Sequence, residues 1–117
     1  MALLMQGRAN EARDEFNGEP HDLLRLTGLA IAEHKLGHAA AAGAARTRLV
    51  TDLGDRALYQ QAQVAAQWGE AAAAMALLAR ARALGDSGLC YANTDPLLDP
   101  LRALPAFGAL LRQLGFD

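Results

Sequence analysis

Two histidines, His34 and His38, stand four residues apart, a spacing at which one helix face can hold a metal ion. Gly37 lies between them and indicates a turn, so we expect the two imidazole rings on different helices. No third ligand follows nearby in the sequence, whereas metal sites in proteins ordinarily use three or four protein ligands. The sequence therefore predicts no metal site and no cofactor.

The candidates for nucleophilic and acid–base chemistry are equally isolated. Cys90 is the only cysteine, which excludes an intramolecular disulfide and favours a reducing compartment. It could pair with a histidine as a nucleophile, but nothing orients either group, so we interpret it as a small apolar residue. Asp95 and Asp99 could mimic paired catalytic carboxylates, but each precedes a proline, which is typical of helix capping. We predict that the protein is not an enzyme.

Charge gives no reason to expect a polyanionic partner. The net charge is −2, and no glycine-rich phosphate loop follows a strand. The arginines that cluster are Arg46, Arg48, Arg80 and Arg82. We interpret them as solvated surface, with a weak patch for phosphate or an acidic partner as the alternative. Nucleic-acid binding is not expected.

The chain also lacks the usual marks of export or membrane insertion. No basic segment and apolar core of a signal peptide precede Gly7. No apolar run approaches the roughly 20 residues that a membrane-spanning helix needs. We therefore expect a soluble, cytoplasmic protein with no membrane partner.

One short motif recurs along the chain: a glycine followed five residues later by an alanine. The pairs are Gly7 with Ala12, Gly37 with Ala42, and Gly69 with Ala74. Each glycine lies where one apolar helical pattern ends and the next begins, and the glycines are 30 and then 32 residues apart. A period of this size indicates stacked helical repeats.

Apolar spacing between these turns predicts an all-α fold in one domain. The domain would comprise a half repeat over 2–20, repeats over 22–54 and 55–86, and a loop with C-terminal capping helices over 87–117. The helices are predicted at 2–6, 8–16, 23–36, 38–53, 56–68, 71–84 and from Pro105 onward, with Asp22 and Asp55 as N-caps. Residues 87–94 are predicted to form a loop or short turn. Leu77, Leu78, Ala81 and Leu84 are expected on one core face, and Glu33 must reach solvent or find a partner.

The helix–turn–helix unit resembles the tetratricopeptide repeat. One unit matches through Leu26, Leu29, Ala30, the Leu36–Gly37 turn and Ala42. The next matches through Leu58, Ala62, the Trp68–Gly69 turn, Ala74, Leu78 and Ala81. A preceding half unit matches through Gly7, Ala12 and Phe16. The resemblance covers residues 2–86 and implies a superhelix of helix pairs.

Residues 92–117 carry a second resemblance. The run from Asn93 to Arg102, followed by Pro105, Phe107 and Leu110 to Arg112, looks like the C-terminal end of certain bacterial tetratricopeptide proteins. Those proteins often carry a winged-helix regulator, nucleotide cyclase or kinase domain upstream. The resemblance implies a natural C-terminus and the last part of a longer regulatory or signalling protein.

In the tetratricopeptide family, first helices line a concave wall whose non-core positions face a ligand. The matching positions here are Leu24, Thr27, Ile31, His34 and Lys35 on one helix and Arg56, Tyr59, Gln60, Gln63 and Gln67 on the next. The resemblance thus implies a non-catalytic scaffold that binds a protein or peptide. Tyr59 would be an anchor pointing away from the core, and Arg56 and Lys35 would favour acidic partners. The family's lysine–asparagine carboxylate clamp is excluded, because no asparagine stands at the matching positions.

Self-association is the alternative function. Repeat arrays need polar ends, and the N-terminus begins with a half unit. Leu3, Leu4, Ala12 and Phe16 would then have no preceding helix to cover them, which predicts an oligomer through that end.

Overall fold

The structure is a computed structural model that describes residues 2–5 and 7–116, with residues 2 and 3 described by their backbone alone. The described residues form helices and turns and contain no strand, which confirms the all-α prediction. The α-helices are α1 (Ala2–Met5), α2 (Ala9–Asn17), α3 (Asp22–Lys35), α4 (Ala39–Arg48), α5 (Leu58–Gln67), α6 (Ala71–Leu84) and α7 (Pro105–Gln113). A π-helical turn spans Leu49–Leu53, and 3₁₀ turns span Gly54–Ala57, Ser87–Tyr91 and Pro96–Leu101.

The chain divides into two compact units, Met1–Ala57 and Leu58–Asp117. In the first unit, α3 packs against both α2 and α4. The buried apolar residues of this unit include Leu26, Ala30, Ala42, Ala45 and Leu49. Gly28 of α3 lets the Phe16 ring of α2 approach closely, since a Cβ at that glycine would lie 2.4 Å from the ring carbons. The absent side chain therefore sets how near α2 comes to α3.

The N-terminal end of the first unit differs from the expectation that its apolar residues are uncovered. Leu4 and Ala12 are both buried, because α1 packs on α2. Phe16 is half-buried through its contact with Gly28. The expectations for the side chain of Leu3 and for Gln6 lie outside the described residues.

In the second unit, α5 packs against α6 and against the 3₁₀ turn Pro96–Leu101, while α7 packs on α6. The core combines large and small side chains, among them Tyr59, Ala62, Ala74, Leu78 and Phe107. Small residues on α5 and α6 allow the two helices to pack closely, and the leucines of the tail fill the remaining space. The tail is therefore part of this core.

The recurring glycine–alanine motif forms the same turn at three places in the chain. Each glycine has a left-handed backbone, with φ of 74°, 79° and 81° at Gly7, Gly37 and Gly69. The residue after each glycine precedes the next helix with similar φ and ψ: −101° and 57° at Arg8, −89° and 73° at His38, and −97° and 67° at Glu70. The amides of Ala12, Ala42 and Ala74 donate to the carbonyls of these residues at 3.0, 2.9 and 2.9 Å. All three alanines are buried.

Some predicted boundaries are correct and others are wrong. α6 has the predicted bounds, but α4 gives way to the π-helical turn after Arg48, before the predicted end at Leu53. The residue before α3 is His21, so Asp22 lies in the first turn, where its carboxylate pairs with Arg25. Asp55 lies inside the 3₁₀ turn Gly54–Ala57, and α5 begins at Leu58, two residues after the predicted start at Arg56.

Two predictions for the later part of the chain had opposite outcomes. Leu84, placed on the core face by its spacing, is 57% exposed, because α6 ends there and Gly85 turns the chain away. Asp95 does cap the following 3₁₀ turn, since its Oδ1 accepts from the Leu97 amide at 2.9 Å. Asp99, by contrast, lies within that turn and accepts from Arg102 Nε at 2.6 Å.

Candidate binding surface

The residues predicted to face a partner from the first unit fall into two groups. Thr27 and Ile31 are 1% and 0% exposed, and the Thr27 hydroxyl donates to the Leu23 carbonyl at 2.6 Å. The expectation that these two side chains face a ligand is therefore wrong for this structure. The spacing cannot distinguish a buried position from a ligand-facing one when both sides of α3 are apolar.

The exposed group comprises Leu24, His34, Lys35 and Arg56. His34 and Lys35 lie in the last turn of α3, where positive charge suits the helix dipole. Arg56 Nη2 donates to the Asp52 carbonyl at 3.2 Å. These side chains remain accessible to a partner, but Thr27 and Ile31 are buried, so the six residues do not form one exposed surface.

In the second unit, the predicted ligand-facing side chains of α5 bind the chain's own tail. The Tyr59 hydroxyl and Gln63 Nε2 both donate to Asp95 Oδ2, each at 2.6 Å. Gln67 Nε2 donates to the Leu97 carbonyl at 2.9 Å. The α5 part of the surface that the sequence assigned to a partner is thus occupied in the folded chain by residues 95–97.

Tyr59 is the clearest correction. It is 2% exposed and ranks among the largest buried side chains, so it does not point away from the core. Burial, and then the hydrogen bond to Asp95, raise the pKa of its hydroxyl well above the ordinary value. Gly88 makes room for it, because a Cβ there would lie 2.7 Å from Tyr59 Cγ. Gln60 is half-buried, and its Oε1 has no hydrogen-bond partner in the described part of the chain.

Two residues to which the sequence assigned no binding role hold this arrangement. Asp86 accepts from the Tyr59 amide at 3.2 Å and from the Gly88 amide at 2.8 Å. Arg102 donates to the carbonyls of Asn93 and Asp95 at 3.1 and 2.8 Å. The sequence signal for Asp86 is an acid placed directly after a helix-ending glycine, and Arg102 is marked only as the end of the run that carries the second resemblance.

A cleft of about 380 Å³ opens in the first unit between α2, α3 and α4. We call it the α2–α4 cleft. Its aliphatic lining is Leu26, Leu29, Ala41, Ala44 and Ala45, and its polar lining is Asn17, Arg25, Glu33 and Arg48. Ligand sites are typically concave and mostly apolar, with a few placed polar groups, and this cleft has that composition.

Glu33 is the buried polar group of the α2–α4 cleft. Its side chain is 9% exposed, and Nδ1 of His38 donates to its Oε2 at 2.9 Å, which confirms that this glutamate finds a partner. Its Oε1 lies 3.7 Å from Arg13 Nε and accepts no hydrogen bond within residues 2–5 and 7–116. Arg13 instead directs Nε and Nη2 to Asp14, at 3.2 and 3.1 Å.

A smaller cleft of about 240 Å³ lies in the second unit between α6 and α7. Its lining is mostly aliphatic, with Arg82 and Gln113 as its polar members. Both polar side chains are exposed, so this cleft has no buried charge to select a ligand.

The candidates for chemistry remain scattered. His34 lies within α3 and His38 precedes α4, and Cys90 is exposed. Within residues 2–5 and 7–116, no three histidine, cysteine, aspartate or glutamate side chains form a group that could hold a metal ion. No helix in that part of the chain combines the length and apolarity needed to cross a bilayer.

Comparison with known proteins identifies no family for this chain. No protein-family model matches the chain, and neither the curated proteins nor the solved structures contain a match.

Proposed function

We propose that this chain is a non-catalytic binding module of tetratricopeptide-like helix pairs, and that it holds a segment of another protein. The observation that carries the proposal is the threefold turn at Gly7, Gly37 and Gly69. Each turn leads into a helix whose alanine, five residues on, is buried. Helix pairs built on one repeated turn are the units from which helical-repeat scaffolds are assembled.

The binding surface in this proposal is the α2–α4 cleft, not the wall expected from the sequence. Thr27, Ile31 and Tyr59 are buried and cannot contact a partner in this structure. The α2–α4 cleft offers aliphatic side chains beside a buried carboxylate, and Ala44 on its lining is exposed. An aliphatic lining with a few polar groups suits a peptide side chain and its backbone.

The proposal extends to the cellular setting. A cytoplasmic module of a bacterial regulatory or signalling protein fits the resemblance of residues 93–112 to the tails of such proteins. Binding of a partner segment, with no chemistry on it, would then be the regulatory event.

Selection from a displayed peptide library tests this function. The immobilised chain should enrich a set of related peptides. Ala44→Trp should abolish their binding, because a large side chain at this exposed position fills the α2–α4 cleft. Ala40→Trp is the matched control, since Ala40 is exposed on the same helix and is not part of the cleft lining.

Thermal melts of both variants should stay close to that of the parent, so that lost binding is not lost folding. Failure to enrich any peptide family would contradict the proposed function, as would equal loss of binding in the two variants.

Self-association is the second candidate. It is favoured by three large apolar side chains on the first unit, Met5, Leu24 and Val50, which are 40%, 48% and 47% exposed. Exposed apolar residues scattered singly are common on proteins that do not associate, so this candidate ranks lower.

A further inference from the structure

The Glu33 carboxylate has an acceptor that the described residues leave unused. Its Oε1 is buried and accepts no hydrogen bond from any described residue, and the nearest cationic nitrogen, Arg13 Nε, is 3.7 Å away. A distance of 3.7 Å lies beyond hydrogen-bond length. A buried charged acceptor without a donor is costly, and a ligand cation reaching it would form a charge-assisted hydrogen bond.

The α2–α4 cleft carries opposite charge at its two ends. Glu33 and Arg25 are eight residues apart on α3, which places them about 12 Å apart along the helix axis. Arg48 of α4 joins the lining as a second cation. Because α3 and α4 form a hairpin, Arg48 lies toward the Arg25 end and Ala41 lies toward the Glu33 end. Leu26 and Leu29 lie between the two charged ends on α3.

The arginines keep donors for a ligand anion. Arg25 pairs with Asp22 at 2.6 Å and Arg48 with Asp52 at 3.3 Å, both with acids on the same stretch of helix. A guanidinium has five N–H donors, so an ion pair with one carboxylate does not exhaust it. An anion at this end and a cation at the other match the potential of the α2–α4 cleft.

We propose that the α2–α4 cleft binds the C-terminal residue of a peptide that ends in lysine or arginine. The basic side chain lies along Leu26 and Leu29 with its cation on Glu33 Oε1, and the terminal carboxylate meets Arg25 and Arg48. A volume of about 380 Å³ is at the small end for ligand sites, which suits one terminal residue better than a longer segment. This inference rests on the proposed function and names the partner's chemistry.

Titration of the ¹⁵N-labelled full chain with three small probes tests the inference. Nα-acetyl-lysine carries both charges, Nα-acetyl-norleucine lacks the ammonium, and Nα-acetyl-lysinamide lacks the carboxylate. We expect saturable amide shifts on α3 and α4 with the first probe. The other two should bind about tenfold more weakly, which corresponds to the loss of one hydrogen bond to a charged group.

Two variants and a control assign the ends of the α2–α4 cleft. Glu33→Gln should weaken Nα-acetyl-lysine about tenfold and leave Nα-acetyl-norleucine unchanged. Arg48→Ala, at an exposed position, should weaken the two probes with a carboxylate and leave Nα-acetyl-lysinamide unchanged. Arg82→Ala, at an exposed position on α6, should leave the binding of all three probes unchanged. A purely structural role for Glu33 would weaken all three probes together.

The inference is overturned if Nα-acetyl-lysine and Nα-acetyl-norleucine bind equally, or if no saturable shift occurs on α3 and α4. Library selection separates the two proposals. Enriched peptides that Ala44→Trp blocks, but that do not end in a basic residue, overturn this inference and leave the proposed function standing. Probe binding without any enriched peptide supports the site and contradicts the proposed function.

Discussion

Tyr59 illustrates how burial changes the role of one side chain. The resemblance to the tetratricopeptide repeat implies that Tyr59 is an accessible aromatic anchor. In the structure its hydroxyl donates to Asp95, its amide donates to Asp86, and its ring lies against Gly88. Replacement by alanine would therefore remove a core residue, at about 3 kcal/mol or more of stability, and could not report on binding alone.

The raised pKa of Tyr59 predicts a loss of stability at alkaline pH. An unfolded chain releases a tyrosine proton near pH 10, whereas the folded protein retains it above that pH. The unfolded state then binds fewer protons, so the free energy of unfolding falls as pH rises above about 10, by at most about 1.4 kcal/mol per pH unit. Urea unfolding between pH 8 and pH 11, at roughly half-unit steps, measures this slope.

Tyr59→Phe should be less stable at neutral pH by about 1 kcal/mol, because one hydrogen bond is lost, and should show a shallower alkaline slope. Tyr91→Phe is the control, since Tyr91 is 66% exposed, and it should keep the parent slope. Identical slopes in the parent and Tyr59→Phe would contradict the assignment of this proton to the buried hydroxyl.

At the scale of elements, Gly37 and Gly69 end their helices in the same left-handed conformation. At Gly37 the glycine amide donates to the His34 carbonyl at 3.0 Å and the His38 amide donates to Glu33 at 2.9 Å. At Gly69 the equivalent bonds reach Ala66 and Ala65, at 3.2 and 2.8 Å. This pair of bonds satisfies the last carbonyls of a helix and requires a left-handed residue. The turns are therefore encoded locally.

Two glycine-to-alanine substitutions should have opposite effects on stability. A Cβ at Gly37 or at Gly43 would meet no atom within 4 Å, so space does not distinguish them. Gly37 has φ of 79°, and alanine there should destabilise by about 1–2 kcal/mol. Gly43 lies inside α4 without a positive φ, and alanine should stabilise by about 0.5–1 kcal/mol.

Thermal melts of the two glycine variants and the parent, at matched concentration, measure the expected loss of stability in Gly37→Ala and the expected gain in Gly43→Ala. A gain of stability from Gly37→Ala would mean that the turn does not depend on its left-handed residue.

At the scale of the whole molecule, the two units use their polar side chains differently. The second unit binds its own tail with Tyr59, Gln63 and Gln67. The first unit has a cleft whose buried carboxylate keeps an unused acceptor within the described residues. This difference is why both proposals fall on the first unit.

Sedimentation equilibrium should give a concentration-independent mass near 12.4 kDa. The residues that a second copy would have had to cover, Leu4 and Ala12, are already buried. Met5→Lys should leave the mass unchanged and serves as the matched variant. A mass that rises with concentration, and that falls back in Met5→Lys, would favour self-association over partner binding.

The sequence by itself determined the features that depend on neighbouring residues. Glycine at the end of an apolar helical pattern fixed the turns, the i, i+3, i+4 spacing fixed the all-α class and the bounds of α6, and an aspartate before proline fixed the cap at Asp95. These signals are local, because backbone strain and capping act within a few residues.

Only the tertiary structure decided which polar side chains face solvent. Tyr59 and Gln63 meet Asp95 across 36 and 32 residues of chain, and no local pattern encodes such a pairing. The α2–α4 cleft likewise depends on how three helices pack around Glu33, which the sequence marked only as an acid interrupting an apolar stripe. Burial is a property of the packed chain, so the sequence identified the polar residues while packing determined which could bind a partner.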